Sequence, residues 1–172
     1  MGYLAGKRCY LGGPIENGDA LGDWRVGPRK VLREEFGIDL FDPFEDPKQQ
    51  WVAKLNKARD ECDFDTMAEI AEAFVHKDLG TVDGCQFVIS YLPYKVCTTG
   101  THHEIINSSD LKKPTLLVCP QGKQFLPLWY FGFIDHKDFM YGGWEPLYAY
   151  LREVDAGLHK HNKRWRMVYG LV

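Results

Sequence analysis

A chain of 172 residues with 45% hydrophobic content and a net charge of -3 is long enough for one domain with a full core. The near balance of 21 basic against 24 acidic residues excludes a broad cationic face for nucleic acid. Five cysteines without C-x-x-C spacing exclude a disulfide framework and a zinc ribbon, and no apolar run approaches membrane-spanning length.

Residues 1–7 hold no apolar stretch of signal-peptide length, so a cytoplasmic protein is expected. Residues 7–15 read as a first strand running into a turn at Gly12, Gly13 and Pro14, where two glycines let the backbone come close to a ligand. No G-x-G-x-x-G and no Walker G-K-[ST] is present, which disfavours nicotinamide and ATP chemistry. No cofactor or metal is expected.

A helical pattern follows through Val26, Leu32 and Phe36, with Asp23 as its cap and Gly37 as its stop. Residues 38–41 form a second strand ending in Asp42 and Pro43. Asp42 either contacts substrate or makes a turn before proline. Between 47 and 77 two helical stretches appear, one through Trp51, Leu55 and Ala58, the other burying Met67, Ile70, Ala71, Phe74 and Val75. The acidic residues from 60 to 65 read as a solvated bend without EF-hand spacing. The second helix is expected to stop at Gly80, which delivers Asp78 to its carboxyl end. A carboxylate is disfavoured there, and such local conflict marks function, unless Asp78 simply pairs with Lys77 or Arg25 in solvent.

The apolar run 87–92 reads as a buried third strand, residues 105–111 as a short helix, and 96–104 as the turn between them. At the carboxyl end of a parallel strand such a turn opens into the ligand crevice of an α/β sheet, and Glu104 would project into it. Thr101-x-x-Glu104 is equally a capping box, with the hydroxyl and carboxylate tied to the backbone. Cys9, Cys85 and Cys119 fall in strands as small buried hydrophobes. Cys97, at the turn, has the alternative of a nucleophile, although no nearby basic residue is obviously placed to activate it.

Residues 114–120 form a fourth strand covered on both faces. The order β-α-β-α-α-β-α-β with short connections specifies one domain over residues 1–172: a parallel sheet, flavodoxin-like or Rossmann-like, flanked by helices. Beyond Pro120 an aromatic-rich C-terminal extension, 121–172, follows a core of about 7–120 and reads as core plus subunit interface. It holds a final helix over 144–158 and a basic tail, 159–166, that is either a solvated end or an arm reaching a neighbour.

Tyr10-Leu11-Gly12-Gly13-Pro14, Asp42-Pro43, Asp78-Leu79, Asp83 before a hydrophobic strand, and Gly100-Thr101-His102-His103-Glu104 resemble, in order and spacing, the nucleoside 2-deoxyribosyltransferase family. The resemblance covers about residues 7–120. It implies that Glu104 is the nucleophile, that Asp78 handles a proton or contacts the base, and that Tyr10, Gly12, Gly13 and Pro14 form part of the base and sugar pocket. It further implies substrate contacts from Asp23, Asp42, Asp83, Thr98, Gly100 and Thr101, and a homo-oligomer in which a neighbour's late residues complete the pocket. The chain departs from the family at Ile106, where a glycine is common, and at Thr98, where some members carry an acid.

The implied activity is transfer of a 2-deoxyribosyl group between nucleobases through a covalent glycosyl-Glu104 intermediate. Hydrolysis of a nucleoside 5'-monophosphate is the runner-up, with Ser108 and Ser109 as phosphate contacts or ordinary helix surface. The cytokinin-activating phosphoribohydrolases share the G-T-x-x-E turn but not their P-G-G here. A non-catalytic nucleotide-binding or sensor module on the same fold is the reading from another class.

Overall fold

The computed structural model describes residues 2–15 and 22–171. Five strands, β1 (Arg8–Gly12), β2 (Asp39–Phe41), β3 (Phe87–Tyr91), β4 (Thr115–Val118) and β5 (Met140–Tyr141), form one sheet in the order β2-β1-β3-β4-β5. Every pairing is parallel. This is the flavodoxin-like order, in which the chain reverses direction across the sheet between β1 and β3 and leaves a crevice at their carboxyl ends.

Six helices flank the sheet among the described residues: α1 (Val26–Glu34), α2 (Val52–Asp60), α3 (Phe64–Gly84), α4 (Thr99–Asp110), α5 (Trp144–Asp155) and α6 (Arg166–Tyr169). All residues of β3 and β4 are buried, as strands covered on both faces require. None of the helices among the described residues is long and apolar enough to cross a membrane.

Several elements differ from expectation, each for a physical reason. Helix α3 does not stop at Gly80. It runs on to Gly84 because Val82, fully buried with Tyr10, Cys85 and Val88, outweighs the roughly 1 kcal/mol that a helical glycine costs. Asp78 therefore sits inside the helix. Of the apolar positions expected to be buried on α3, only Ile70 is, and Val75 stands exposed. Asp23 is not the cap position of α1, which is Arg25; its carboxylate instead accepts from the Arg25 backbone N–H at 3.2 Å.

The segment after Pro120 is less an appendage than the second half of the core. β5 extends the sheet, and Tyr130, Phe139, Leu147, Leu151 and Trp165 pack with Leu116 and Leu117. Nor is the basic tail merely solvated. Trp165 is fully buried and donates its indole N–H to Tyr150 Oη at 2.9 Å, while Arg164 donates to the Ser109 carbonyl. Leu128 and Trp129 are the most exposed large hydrophobic residues of the segment, 84% and 80% accessible, and Phe125 and Phe131 are also at the surface.

Candidate active site

The glycine turn at the end of β1 is shaped by two close approaches. A Cβ on Gly12 would lie 2.9 Å from Glu104 Oε2 and 3.1 Å from Ser90 Oγ. A Cβ on Gly13 would lie 2.3 Å from the Trp24 ring, which stacks on Tyr91. Absence of a side chain at both positions lets β1 run directly beneath the carboxylate.

That carboxylate is not part of a capping box. Helix α4 already begins at Thr99, with Thr98 in the cap position making no side-chain bond, so Thr101 is in the first turn and Glu104 in the second. Glu104 is 7% exposed and lies against the carboxyl ends of β1 and β3. Its Oε1 accepts a hydrogen bond from Tyr10 Oη at 2.6 Å. Its Oε2 has no hydrogen-bond partner among the described residues, and the same is true of Ser90 Oγ and Thr98 Oγ1. Burial raises the Glu104 pKa to about 7; Tyr10 opposes that rise by bonding the ionised form, and the nearby negative charge of Asp78 adds to it.

Glu104 is on the wall of an open cleft of about 980 Å³. Gly13, Pro14, Thr98, Gly100 and Thr101 line the same cleft, as does Asp78. The far wall is apolar: Phe64, Met67, Ala68, Ala71 and Phe74 recur at helical spacing along α3 and end, on the same face, at Asp78. This explains why α3 buries so little of its apolar surface in the core. Asp78 forms an ion pair with Lys48, which extends from the turn Pro47–Trp51, and burial raises the Asp78 pKa against the pull of that lysine.

Five residues named by resemblance lie outside the cleft lining: Tyr10 and Gly12, which meet the Glu104 carboxyl group itself, and the three aspartates Asp42, Asp23 and Asp83. The Asp42 carboxylate is fully buried between Arg25 at 3.2 Å and Arg29 at 3.5 Å, and accepts from the Phe44 backbone N–H. Arg25 in turn donates to the Gly13 and Pro14 carbonyls, both at 3.0 Å, so Asp42 reaches the glycine turn only through that guanidinium. Asp23 is paired with Arg29 at 2.8 Å. Asp83, at the end of α3, accepts from Asn107 Nδ2 at 2.9 Å.

Sequence reasoning overlooked Lys48, Ser90 and Arg25. Lys48 sits in a short turn without periodicity, Ser90 reads as one residue of an apolar strand, and Arg25 reads as helix surface. Cys97 is exposed and lines the cleft, its thiol 3.7 Å from Thr99 Oγ1. Among the described residues no group of three or more His, Cys, Asp or Glu side chains is arranged to hold a metal ion.

No family model and no curated sequence matches the chain. Among solved structures it is similar to the Clostridium botulinum CMP N-glycosidase, with 20% identity, a TM-score of 0.47, and coverage of 87% of this chain and 98% of that one.

Proposed function

We propose that the protein breaks the N-glycosidic bond of 2'-deoxynucleosides and transfers the 2-deoxyribosyl group to another nucleobase, with Glu104 as nucleophile. The observation that carries this reading is the state of one carboxyl group. It is buried, held at one oxygen by Tyr10, without a partner at the other, and on the wall of a cleft that also holds Asp78. A carboxylate kept that way is suited to trap an electron-poor anomeric carbon.

In the proposed reaction a Glu104 oxygen attacks C1' on the face opposite the base. The C–N bond breaks with its electron pair going to the base, and a glycosyl ester remains. Asp78 contacts the base or handles its proton. A second base then attacks from the face the first has left, giving net retention. A 2-deoxy sugar suits this route because it lacks the electron-withdrawing hydroxyl that would oppose the developing cation. The protein acts as a homo-oligomer on small-molecule nucleosides and needs no cofactor.

The experiment is incubation with 2'-deoxyadenosine and a different free base. The exchanged deoxynucleoside should form, and mass spectrometry should find a deoxyribosyl adduct on Glu104. Glu104→Gln should lower turnover about 1,000-fold or more while the fold persists. Release of free deoxyribose alone would replace transfer by hydrolysis. Nucleoside binding with no turnover at all would leave only a binding module.

A further inference from the structure

We propose that Ser90 is a positioning residue for Glu104: its hydroxyl donates to Oε2 of the ionised carboxylate while Tyr10 holds Oε1, and the two donors together fix the plane of the attacking group. The inference deepens the transfer reading, and the part it gives Ser90 in turnover rests on that reading.

Strand β3 is buried along its whole length, and among Phe87, Val88, Ile89 and Tyr91 it carries one aliphatic hydroxyl, that of Ser90. Its Oγ has no hydrogen-bond partner among the described residues. A hydroxyl taken out of water and left unbonded is a net cost that an alanine at the same place would avoid. The strand thus holds a polar group that its own packing does not use.

The group that needs it lies beside Gly12. A Cβ on Gly12 would lie 2.9 Å from Glu104 Oε2, 3.1 Å from Ser90 Oγ and 3.5 Å from the Thr101 methyl carbon, so these three atoms surround one point. Thr101 offers only carbon there. Ser90 offers a hydroxyl, and Oε2 is the other buried atom of the three without a partner. A turn about the Cα–Cβ bond of Ser90, or about the last bond of the Glu104 side chain, is the motion that joins them, and it leaves the backbone in place. The bond is strongest when Glu104 is ionised, because a donor to a full negative charge is held about twice as tightly as one to a neutral oxygen.

Two donors on the two oxygens do what one does not. Tyr10 alone leaves the carboxyl plane free to swing about the Oε1 contact, and Ser90 on Oε2 stops that swing. Each carboxylate oxygen has two lone pairs, so both bonds leave an electron pair for C1'. As the glycosidic bond breaks with its electron pair going to the base, a Glu104 oxygen closes the ester. When the second base attacks C1', the electron pair of the ester bond returns to the carboxylate, and the hydroxyl again meets the charge. Ser90 keeps its own proton throughout, the proton of the base being left to Asp78.

A carbon-13 NMR titration of the Glu104 carboxyl carbon, assigned by its loss in Glu104→Gln, reads this bond without any turnover. Tyr10, Asp78, Lys48 and Arg25 are the titratable or charged groups that act on Glu104 from the elements around it, and Ser90→Ala leaves all four in place. Against a wild-type midpoint of about 7, Ser90→Ala should titrate about 1 pH unit higher, the scale of one hydrogen bond to a charged group. The acid limb of kcat/KM for 2'-deoxyadenosine should move up by the same amount. An idle hydroxyl predicts instead an unmoved midpoint and a melting temperature that stays or rises, and that result overturns the inference. Base exchange that Glu104→Gln abolishes, with an unmoved midpoint in Ser90→Ala, sinks this inference and leaves the transfer reading standing. Absence of turnover sinks the transfer reading and, with it, the part of Ser90 in catalysis, whatever the midpoint does.

Discussion

Glu104 is reactive only when ionised, and its carboxyl group titrates at about 7 because burial disfavours the charge. With a free-enzyme pKa raised to that level, kcat/KM should rise with pH along an acid limb centred near 7 and reach its plateau above it. Tyr10→Phe removes the donor that favours the ionised form. The limb should then move up by about 1–2 pH units, since a hydrogen bond to a charged group contributes about 1.5–3 kcal/mol. A pH–rate profile of the variant checks this, and an unmoved limb would refute the role given to Tyr10. Stability runs the other way: the contribution of the neutral acid is fully present below the ordinary value of 4.5 and is lost as pH rises through about 7. The strand-to-helix junction before Glu104 was legible in the sequence, although the helix begins at Thr99 rather than after Glu104. The state of Glu104 was not, because the hydrogen bond that defines it joins residues 94 apart and leaves no local pattern.

At the scale of elements, the glycine turn is held by a clasp. Arg25 grips the Gly13 and Pro14 carbonyls and is itself neutralised by the buried Asp42. Asp42→Ala would leave that guanidinium buried without its counter-charge and should lower stability by about 3–5 kcal/mol, measurable by urea unfolding. A loss below about 1 kcal/mol would show that the clasp is solvated. Local propensity marked Asp42 as a turn residue before proline, and its carboxylate does accept from Phe44, yet nothing local reveals the paired arginines. The same limit explains α3: Gly80 signals a helix end, and only the tertiary burial of Val82 overrides it. Periodicity placed Met67, Ala71 and Phe74 on one face of α3, but of the other two positions it named Ile70 is buried and Val75 is exposed outside the cleft lining. It could not tell that this face looks into a cleft rather than onto the sheet.

For the molecule as a whole, the parallel α/β architecture followed from the alternation of strand and helix patterns. The strand order and β5 did not, since a strand of two residues carries no period. That short strand matters because the chain after it returns to seal the sheet. Trp165 is fully buried against Phe87 and Phe139, so Trp165→Ala should cost about 3–5 kcal/mol and lower the melting temperature, although the residue is remote from the cleft lining. Calorimetry measures this directly. Unchanged melting would mean that the tail contributes nothing to the core.

The contact between Tyr10 and Glu104 links the first strand to the fourth helix, which follows β3, the neighbour of β1 in the sheet, so it exists only where those distant parts of the chain are assembled. A nascent or half-assembled chain thus carries an everyday glutamate, fully hydrated and chemically mute. The unusual acidity of this side chain is a late product of assembly, and its titration is a built-in gauge of whether the two ends of the crevice have met.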